Sequence, residues 1–292
     1  MKIVFIGAVE FSQRTLEKLI EMEADIVGVC TMETSTFNAD HRDISKASSA
    51  KNIPWKYISD INSDESVKWI VEKKPDVIFC FGWSRLLGEA VLNIAHLGVL
   101  GFHPAALPAN RGRHPIIWAL VLGLKETAST FFFMDAEADQ GDILSQRPIE
   151  IDETDDAETL YEKVTVSALA QIQEFVPQLT SRSFPRVVQT GNTNSWRKRS
   201  RADGQIDWRM SARSINNLIR GLTKPYIGAH FLWRGRELKV WKSSVVNNAP
   251  QNIEPGKVYE ITDDGAVVKC GEDGILLIKT ESSFNPSIGE YL

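Results

Sequence analysis

The amino-terminal text constrains the fold most. "KIVFIG" is a run of β-branched and apolar residues ending at Gly7, and "FSQRTLEKLIEM" follows with apolar residues near helical spacing. The chain therefore opens as strand, tight turn and helix. The unit recurs. "ADIVGVC" reads as a second strand, and "VKWIVEKKPDVIFCFG" as a helix stopped by Pro75 and a strand from Val77 to Phe81 that ends at Gly82. "GVLGFH" and "ASTFFFMD" are two further strands, with the apolar helix "HPIIWALVLGL" between them and a last helix over Ala157 to Leu179. Strands alternating with helices predict a parallel sheet wound by right-handed crossovers, a Rossmann-like α/β domain. The Gly7 turn lacks the G-x-G-x-x-G pattern, so neither NAD nor FAD is implied.

At 292 residues the chain has room for two domains. We expect the α/β domain over 1–180, a linker over 181–204 where the text turns polar, and a small carboxyl-terminal domain over 205–292. In the last, "SARSINNLIRGL" reads as a helix, and "AHFLWRGRELKVWKSSVV", "GKVYEIT", "GAVVKCG" and "GILLIKT" as short strands between glycine turns. That spacing predicts a small β-barrel, OB-like in kind. Cys30, Cys80 and Cys270 are far apart and odd in number, with neither metal-ligand nor disulfide spacing. Reduced thiols in a cytoplasmic protein are expected. The apolar run of "MKIVFIGAVEF" is too short for a signal peptide, and no window approaches a membrane span.

Charge is unevenly placed. Net charge is −5, yet residues 196–242 hold 12 Lys and Arg against 3 Asp and Glu, while 243–292 hold 3 against 8. A basic band in an acidic protein predicts an anionic partner such as a phosphate or diphosphate, a plain solvated face being the other reading.

In an open α/β sheet, ligands sit beyond the carboxyl ends of the strands. Four segments should meet there: Gly7 to Ser12, Phe81 to Gly88, "GFHPAALPANRGRHP" (101–115) and "MDAEADQGDIL" (134–144). His103 would stand at a strand end, with Pro104 and Pro108 stiffening the loop behind it. Asp139 and Asp142 flank Gly141 on a turn, so a carboxylate could face His103, a pair suited to general acid–base work or to an oxyanion. From residue types alone the structural readings stay open: a satisfied strand-end histidine, an Asp-Gly turn, and for His114 a loop or helix-cap role. His41, His96 and His230 are assigned nothing.

"FHPAALPANRGRHPIIWAL" followed by "FFFMDAEADQGDI" resembles the formyltransferases that use 10-formyltetrahydrofolate. Their pattern is Asn-x-His-x-Ser-x-Leu-Pro-x-x-Arg-Gly-x-x-Pro, then Met-Asp, then Asp-x-Gly. His103, Leu107, Pro108, Arg111, Gly112, Pro115, Met134, Asp135, Asp139 and Gly141 fall in register. "MKIVFIGAVEFS" and the stretch from "GQIDW" to "KSSVV" extend the resemblance over nearly the whole chain. It implies formyl transfer from folate N10 to a primary amine without a metal. His103 would stabilise the oxyanion or deliver a proton, and Asp139 would hold His103 and help take the amine's proton. The pterin would lie at "FGWSRLLG", near Phe81, Trp83 and Leu86, with Asp135 close by. One departure stands out. The family's asparagine, a donor to the formyl oxygen, is Gly101 here, and losing such a donor costs on the order of 2.7–4 kcal/mol. Asn110, His114 or a water admitted beside the glycine are the expected substitutes.

Members of this family act on methionyl-tRNA, on glycinamide ribonucleotide or on nucleotide-linked amino sugars. The tRNA enzymes carry a Lys/Arg-rich insertion after the second strand. Here "METSTFNADHRDISKASS" sets Arg42 and Lys46 against Glu33, Asp40 and Asp43, which argues against phosphate-backbone binding. "TFNADHRDI" and "GAVEFS" instead resemble the sugar-nucleotide enzymes. The expected substrate is a nucleotide-linked or otherwise activated amino sugar for a surface glycan, a pseudaminic-type pathway among the options. Substrate contacts are expected from Glu10, Phe11, Arg111, Gly112, Arg201 and Tyr226. No membrane or nucleic-acid partner is expected, and a homodimer is left open. Methionyl-tRNA as the substrate, or an impaired folate-binding relative, are the alternatives.

Overall fold

A computed structural model describes residues 1–35 and 38–292. Thr36 and Phe37, which belong to the "TFNADHRDI" segment, lie outside the described residues. Contacts divide the chain into two compact units. The first holds 1–112, 127–149 and 163–196, and the second 113–126, 150–162 and 197–292.

In chain order the elements up to the last long helix are β1 (Ile3–Ile6), α1 (Glu10–Glu21), β2 (Ile26–Thr31), α2 (Ser45–Ala50), β3 (Trp55–Tyr57), α3 (Asp64–Glu72), β4 (Val77–Cys80), α4 (Glu89–Leu92), β5 (Val99–His103), β6 (Arg111–Gly112), α5 (Pro115–Val121), β7 (Glu126–Phe133), β8 (Ile143–Glu150) and α6 (Ala157–Thr180). There follow β9 (Ser195–Trp196), the 3₁₀ turn Arg201–Gly204, α7 (Ala212–Leu222), β10 (Ala229–Trp233), β11 (Arg236–Val246), β12 (Val258–Thr262), β13 (Gly265–Lys269) and β14 (Gly274–Thr280).

The first unit is built on a seven-stranded sheet in the order β3-β2-β1-β4-β5-β7-β8. β1, β2, β3, β4 and β5 pair in parallel, which fits their continuous apolar runs: a strand covered on both faces needs no polar alternation. Val4, Ile6, Ile78 and Cys80 face one buried cluster with Ile61, Ile70 and Val91. On Phe5, Phe79, Phe81, Phe131 and Phe175 a chain of aromatic contacts forms, with Phe81–Phe131 centroids 5.1 Å and Phe131–Phe175 4.8 Å apart.

The sheet departs from the all-parallel expectation at β7, which runs antiparallel to β5 with Gly101 opposite Phe132 and His103 opposite Thr130. The chain between them returns to the sheet at the end where β5 left it. Apolar content marks a strand but carries no direction, and so the sequence could not reveal this reversal.

The second unit carries an antiparallel sheet in the order β10-β11-β14-β13-β12. Its edge strands are covered by short segments. Ile206 N–H donates to the His230 carbonyl on β10, and Val258 N–H on β12 to that of Glu290, so neither edge offers a bare ladder. α7 starts where Ser211 Oγ accepts the Ser214 N–H at 3.1 Å, a side-chain N-cap. Its Ala212, Ile215, Leu218, Ile219 and Leu222 form one stripe, buried with Phe231, Val240, Val268 and Ile275.

Candidate active site

At the carboxyl ends of β1 and β4, two loops are locked together. Ser12 Oγ donates to the Phe81 carbonyl at 2.6 Å and accepts the Val9 N–H at 3.2 Å. A Cβ on Gly7 would stand 2.5 Å from both the Phe81 oxygen and Ser12 Oγ, so the close approach requires glycine. Segment 38–42 is laid against the same turn. His41 Nδ1 lies 2.9 Å from the Ala8 carbonyl, Arg42 pairs with Glu10 at 2.5 Å, and Glu10 N–H donates to the Asp40 carbonyl.

His103 ends β5 and is 5% exposed. Its Nε2 lies 2.8 Å from the backbone carbonyl of Asn110. A carbonyl oxygen only accepts, so the ring carries a proton at Nε2, and in the neutral form of the ring Nδ1 holds the lone pair. That nitrogen faces Asp139 Oδ2 at 3.8 Å, beyond a direct hydrogen bond. Two acceptors at this separation suit a group with hydrogens for both, placed off their line at about 2.9 Å from each. The resemblance implies that Asp139 holds His103; in the structure the Asn110 carbonyl holds the ring, and Asp139 Oδ2 stands opposite its other nitrogen.

Asp139 is itself fixed. Its Oδ2 accepts the Gly112 N–H at 2.9 Å, and its backbone has φ +60°, a left-handed position that aspartate tolerates better than most residues. β7 runs downward beside β5, so its end at Phe133 lies opposite Leu100, about 10 Å below His103 at strand rise. The turn 134–141 covers that distance. Gly141 anchors it, because a Cβ there would meet the Phe133 carbonyl oxygen at 1.6 Å.

The place of the family asparagine is filled. A Cβ on Gly101 would stand 2.8 Å from Met134 Cγ and 2.9 Å from Phe132 Cζ. Apolar side chains occupy that space, so the expectation of a water beside the glycine is corrected. Asn110, with φ +63°, is set at His103 through its backbone. His114 belongs to the second unit, where burial first, then Arg199, Arg113 and Lys198, push its imidazole below the usual value.

The remaining expected residues fall as follows. The Phe81 ring is wholly buried, and its N–H donates to the Ile6 carbonyl. Half-buried Trp83 leaves its Nε1–H sheltered and without an acceptor, a donor that calls for a partner. Leu86 is 72% exposed, and its carbonyl accepts Asn62 Nδ2. Asp135 accepts the Glu137 N–H at 2.9 Å. Phe11 is stacked in the core on Phe102, centroids 4.2 Å apart. In the second unit, Arg201 pairs with Glu237 and Tyr226 packs on the core.

Residue types and spacing gave no sign of two further contributors, Gln189 and Asn194. Gln189 Nε2 lies 2.9 Å from the Asp139 carbonyl and 2.8 Å from that of Gly141, while its Oε1 accepts Arg111 at 2.7 Å. Asn194 Oδ1 accepts the Asn110 N–H and its carbonyl accepts that of Arg111. Both sit in the tract expected as a linker, which here pairs with the first unit up to β9, alongside β6. Long-range contacts from a polar tract leave no periodic trace, and hence no signal. Among the described residues no group of three His, Cys, Asp or Glu could hold a metal ion, and no helix is long and apolar enough to cross a membrane.

Comparison with known proteins bears on this arrangement. Residues 1–174 match the formyl transferase family and 198–283 the formyl transferase carboxyl-terminal domain. A methionyl-tRNA formyltransferase of Caldanaerobacter subterraneus subsp. tengcongensis is 33% identical over 100% of this chain and 96% of its own length. The bifunctional polymyxin resistance protein ArnA of Wigglesworthia glossinidia brevipalpis is 32% identical over 84% of this chain and 38% of that longer protein. Among solved structures, the N-formyltransferase from Helicobacter canadensis, in complex with folinic acid and dTDP-3-aminofucose, superposes with a TM-score of 0.73 at 16% identity, over 95% of this chain and 99% of that one. With both domain patterns matched in order along the chain, it belongs to the formyl transferase family and is a formyltransferase.

Proposed function

We propose that the protein transfers a formyl group from 10-formyltetrahydrofolate to the primary amine of a nucleotide-linked or otherwise activated amino sugar, for a surface glycan. The observation that carries the transfer chemistry is the pair of acceptors, His103 Nδ1 and Asp139 Oδ2, 3.8 Å apart with the ring held from behind. An amine between them donates a hydrogen to each and keeps its lone pair for the formyl carbon. As the carbon–nitrogen bond forms, Nδ1 takes the proton and later returns it to the departing folate nitrogen. The Asn110 carboxamide is the proposed oxyanion donor in place of the missing asparagine. The pterin lies at the Phe81–Gly88 loop, where the exposed Leu86 side chain is an available contact.

The choice of amine rests on segment 38–42. Arg42, a cation that a tRNA-binding insertion would turn to phosphate, is committed to Glu10, and the segment is laid on the β1–α1 turn. The sugar-nucleotide complex of the Helicobacter canadensis relative agrees with this reading. Methionyl-tRNA is the second reading, favoured by the full-length likeness to a methionyl-tRNA formyltransferase.

The test incubates the protein with 10-formyltetrahydrofolate and a panel of amino-sugar nucleotides, with methionyl-tRNA alongside, and reads products by mass. One sugar nucleotide should gain the mass of CO, as formyl replaces hydrogen, and His103→Ala should lose most of that turnover. Formylated methionyl-tRNA with untouched sugars would overturn the sugar reading and leave the transfer chemistry standing. Folate binding without product would overturn both.

A further inference from the structure

The loop that follows β5 is gripped by side chains of the neighbouring strands. Thr130 stands opposite His103 in the β5–β7 register and is wholly buried. Its Oγ1 lies 2.7 Å from the Ala105 carbonyl and 2.9 Å from Gln146 Nε2, and that same amide nitrogen lies 3.0 Å from the Leu107 carbonyl. Thr127, also on β7, donates from its hydroxyl to the Pro104 carbonyl at 3.1 Å. Gln146 belongs to β8, the edge strand beside β7. The Ala109 N–H donates to the Ala106 carbonyl, so a turn joins Leu107 to Asn110, whose carbonyl holds His103 Nε2.

The direction of every hydrogen in this relay is fixed. Carbonyl oxygens only accept, so the Thr130 hydroxyl gives its one hydrogen to Ala105 and can only accept from Gln146. The two amide hydrogens of Gln146 then go one to Thr130 and one to Leu107. The consequence reaches the ring of His103. In its neutral form the ring has one proton and two acceptors that compete for it, the Asn110 carbonyl at 2.8 Å from Nε2 and Asp139 Oδ2 at 3.8 Å from Nδ1. A carboxylate is the stronger acceptor by charge, and the Asn110 carbonyl prevails by standing at hydrogen-bond distance. Were the carbonyl to drift, the proton would pass to Nδ1 and leave no lone pair on the side of Asp139.

We propose that Gln146 is a positioning residue for formyl transfer: acting with Thr130 on the 104–110 loop, it keeps the Asn110 carbonyl on His103 Nε2 and so leaves Nδ1 open to the amine's proton. It acts through the backbone of the loop and not on the reacting atoms. The role rests on the formyl-transfer reading, whichever amine is the acceptor.

Two variants of the full chain test it. Gln146→Glu keeps the shape and inverts the relay, because its carboxylate has no hydrogen for Leu107 and draws the Thr130 hydrogen away from Ala105. Gln146→Leu removes both donors and leaves the Thr130–Ala105 bond in place. Residue 146 is exposed on an edge strand, so both proteins should fold, as thermal melts will show. With 10-formyltetrahydrofolate and the sugar nucleotide or methionyl-tRNA that the wild-type protein formylates, kcat should fall roughly tenfold in Gln146→Glu and less in Gln146→Leu, with KM little changed. NMR of the His103 ring nitrogens, at a pH where the ring is neutral and with no ligand added, needs no turnover. The proton should sit on Nε2 in the wild-type protein and be shared between the two nitrogens in Gln146→Glu. Wild-type kcat in a folded Gln146→Glu protein, or a ring proton still confined to Nε2 in that variant, would overturn the proposal. A wild-type protein that formylates no amine while its ring proton shifts in Gln146→Glu would overturn the formyl-transfer reading and leave the positioning of His103 standing.

Discussion

Residue 101 shows how a missing side chain can mislead. In the sequence, Gly101 reads as a vacancy where a donor belongs, yet Phe132 and Met134 fill the space above it. Gly101→Asn should therefore not restore a donor. The new side chain must displace a ring tip and a thioether arm, and overpacking of this kind costs about 1–3 kcal/mol. Chemical denaturation should show that loss, and turnover should not rise. His103 itself was legible, because a polar residue ending an apolar strand stands out. Its partner in holding the ring was not: the Asn110 carbonyl is a backbone atom, and residue identities say nothing of where a carbonyl points. The exposed or buried fate of Phe11 was equally hidden, since an aromatic in the first turn of a helix serves a core and a ligand equally well.

Among the elements, the turn between β7 and β8 bears most on chemistry. Gln189 ties this turn to Arg111 by hydrogen bonds at both ends of its amide. Gln189→Ala should lower kcat on the order of ten- to a hundredfold, since loosening an aligned group by an ångström carries such a cost. KM should change little, and the melting temperature should fall only modestly. Gln189→Glu keeps the acceptor for Arg111 but loses both donors, so it should resemble the alanine variant. A purely structural role would instead lower stability and kcat together. Strands β1, β2, β4 and β5 were legible from apolar runs bounded by glycine and proline. The direction of β7 and the short β6–β9 pairing were not, because both depend on partners distant in the chain.

At the scale of the molecule, the two-part organisation could be read from the change in texture after residue 180, from long apolar segments to short strands with glycine turns. The membership of 113–126 and 150–162 in the second unit could not, since contacts rather than chain order decide it. The second unit also fastens its carboxyl-terminal tail by a carboxylate. Arg234, the Ser287 N–H and the Trp233 Nε1–H hold Glu290 from its ordinary 4.5 down to about 2. A depressed carboxylate contributes stability above its unfolded value, and that contribution disappears as pH falls through the folded one. The wild-type protein should thus melt above Glu290→Gln at neutral pH. Their difference should shrink between pH 4.5 and about 2 and vanish below, as thermal melts across that range would show. The three thiols add a different consequence. Cys30, Cys80 and Cys270 are buried and pushed up to about 12, which leaves almost no thiolate at neutral pH and so no natural site for alkylating dyes. A fluorophore carried on one cysteine introduced at the exposed position 86 would then report from the proposed pterin loop alone, without first stripping the native thiols from the chain.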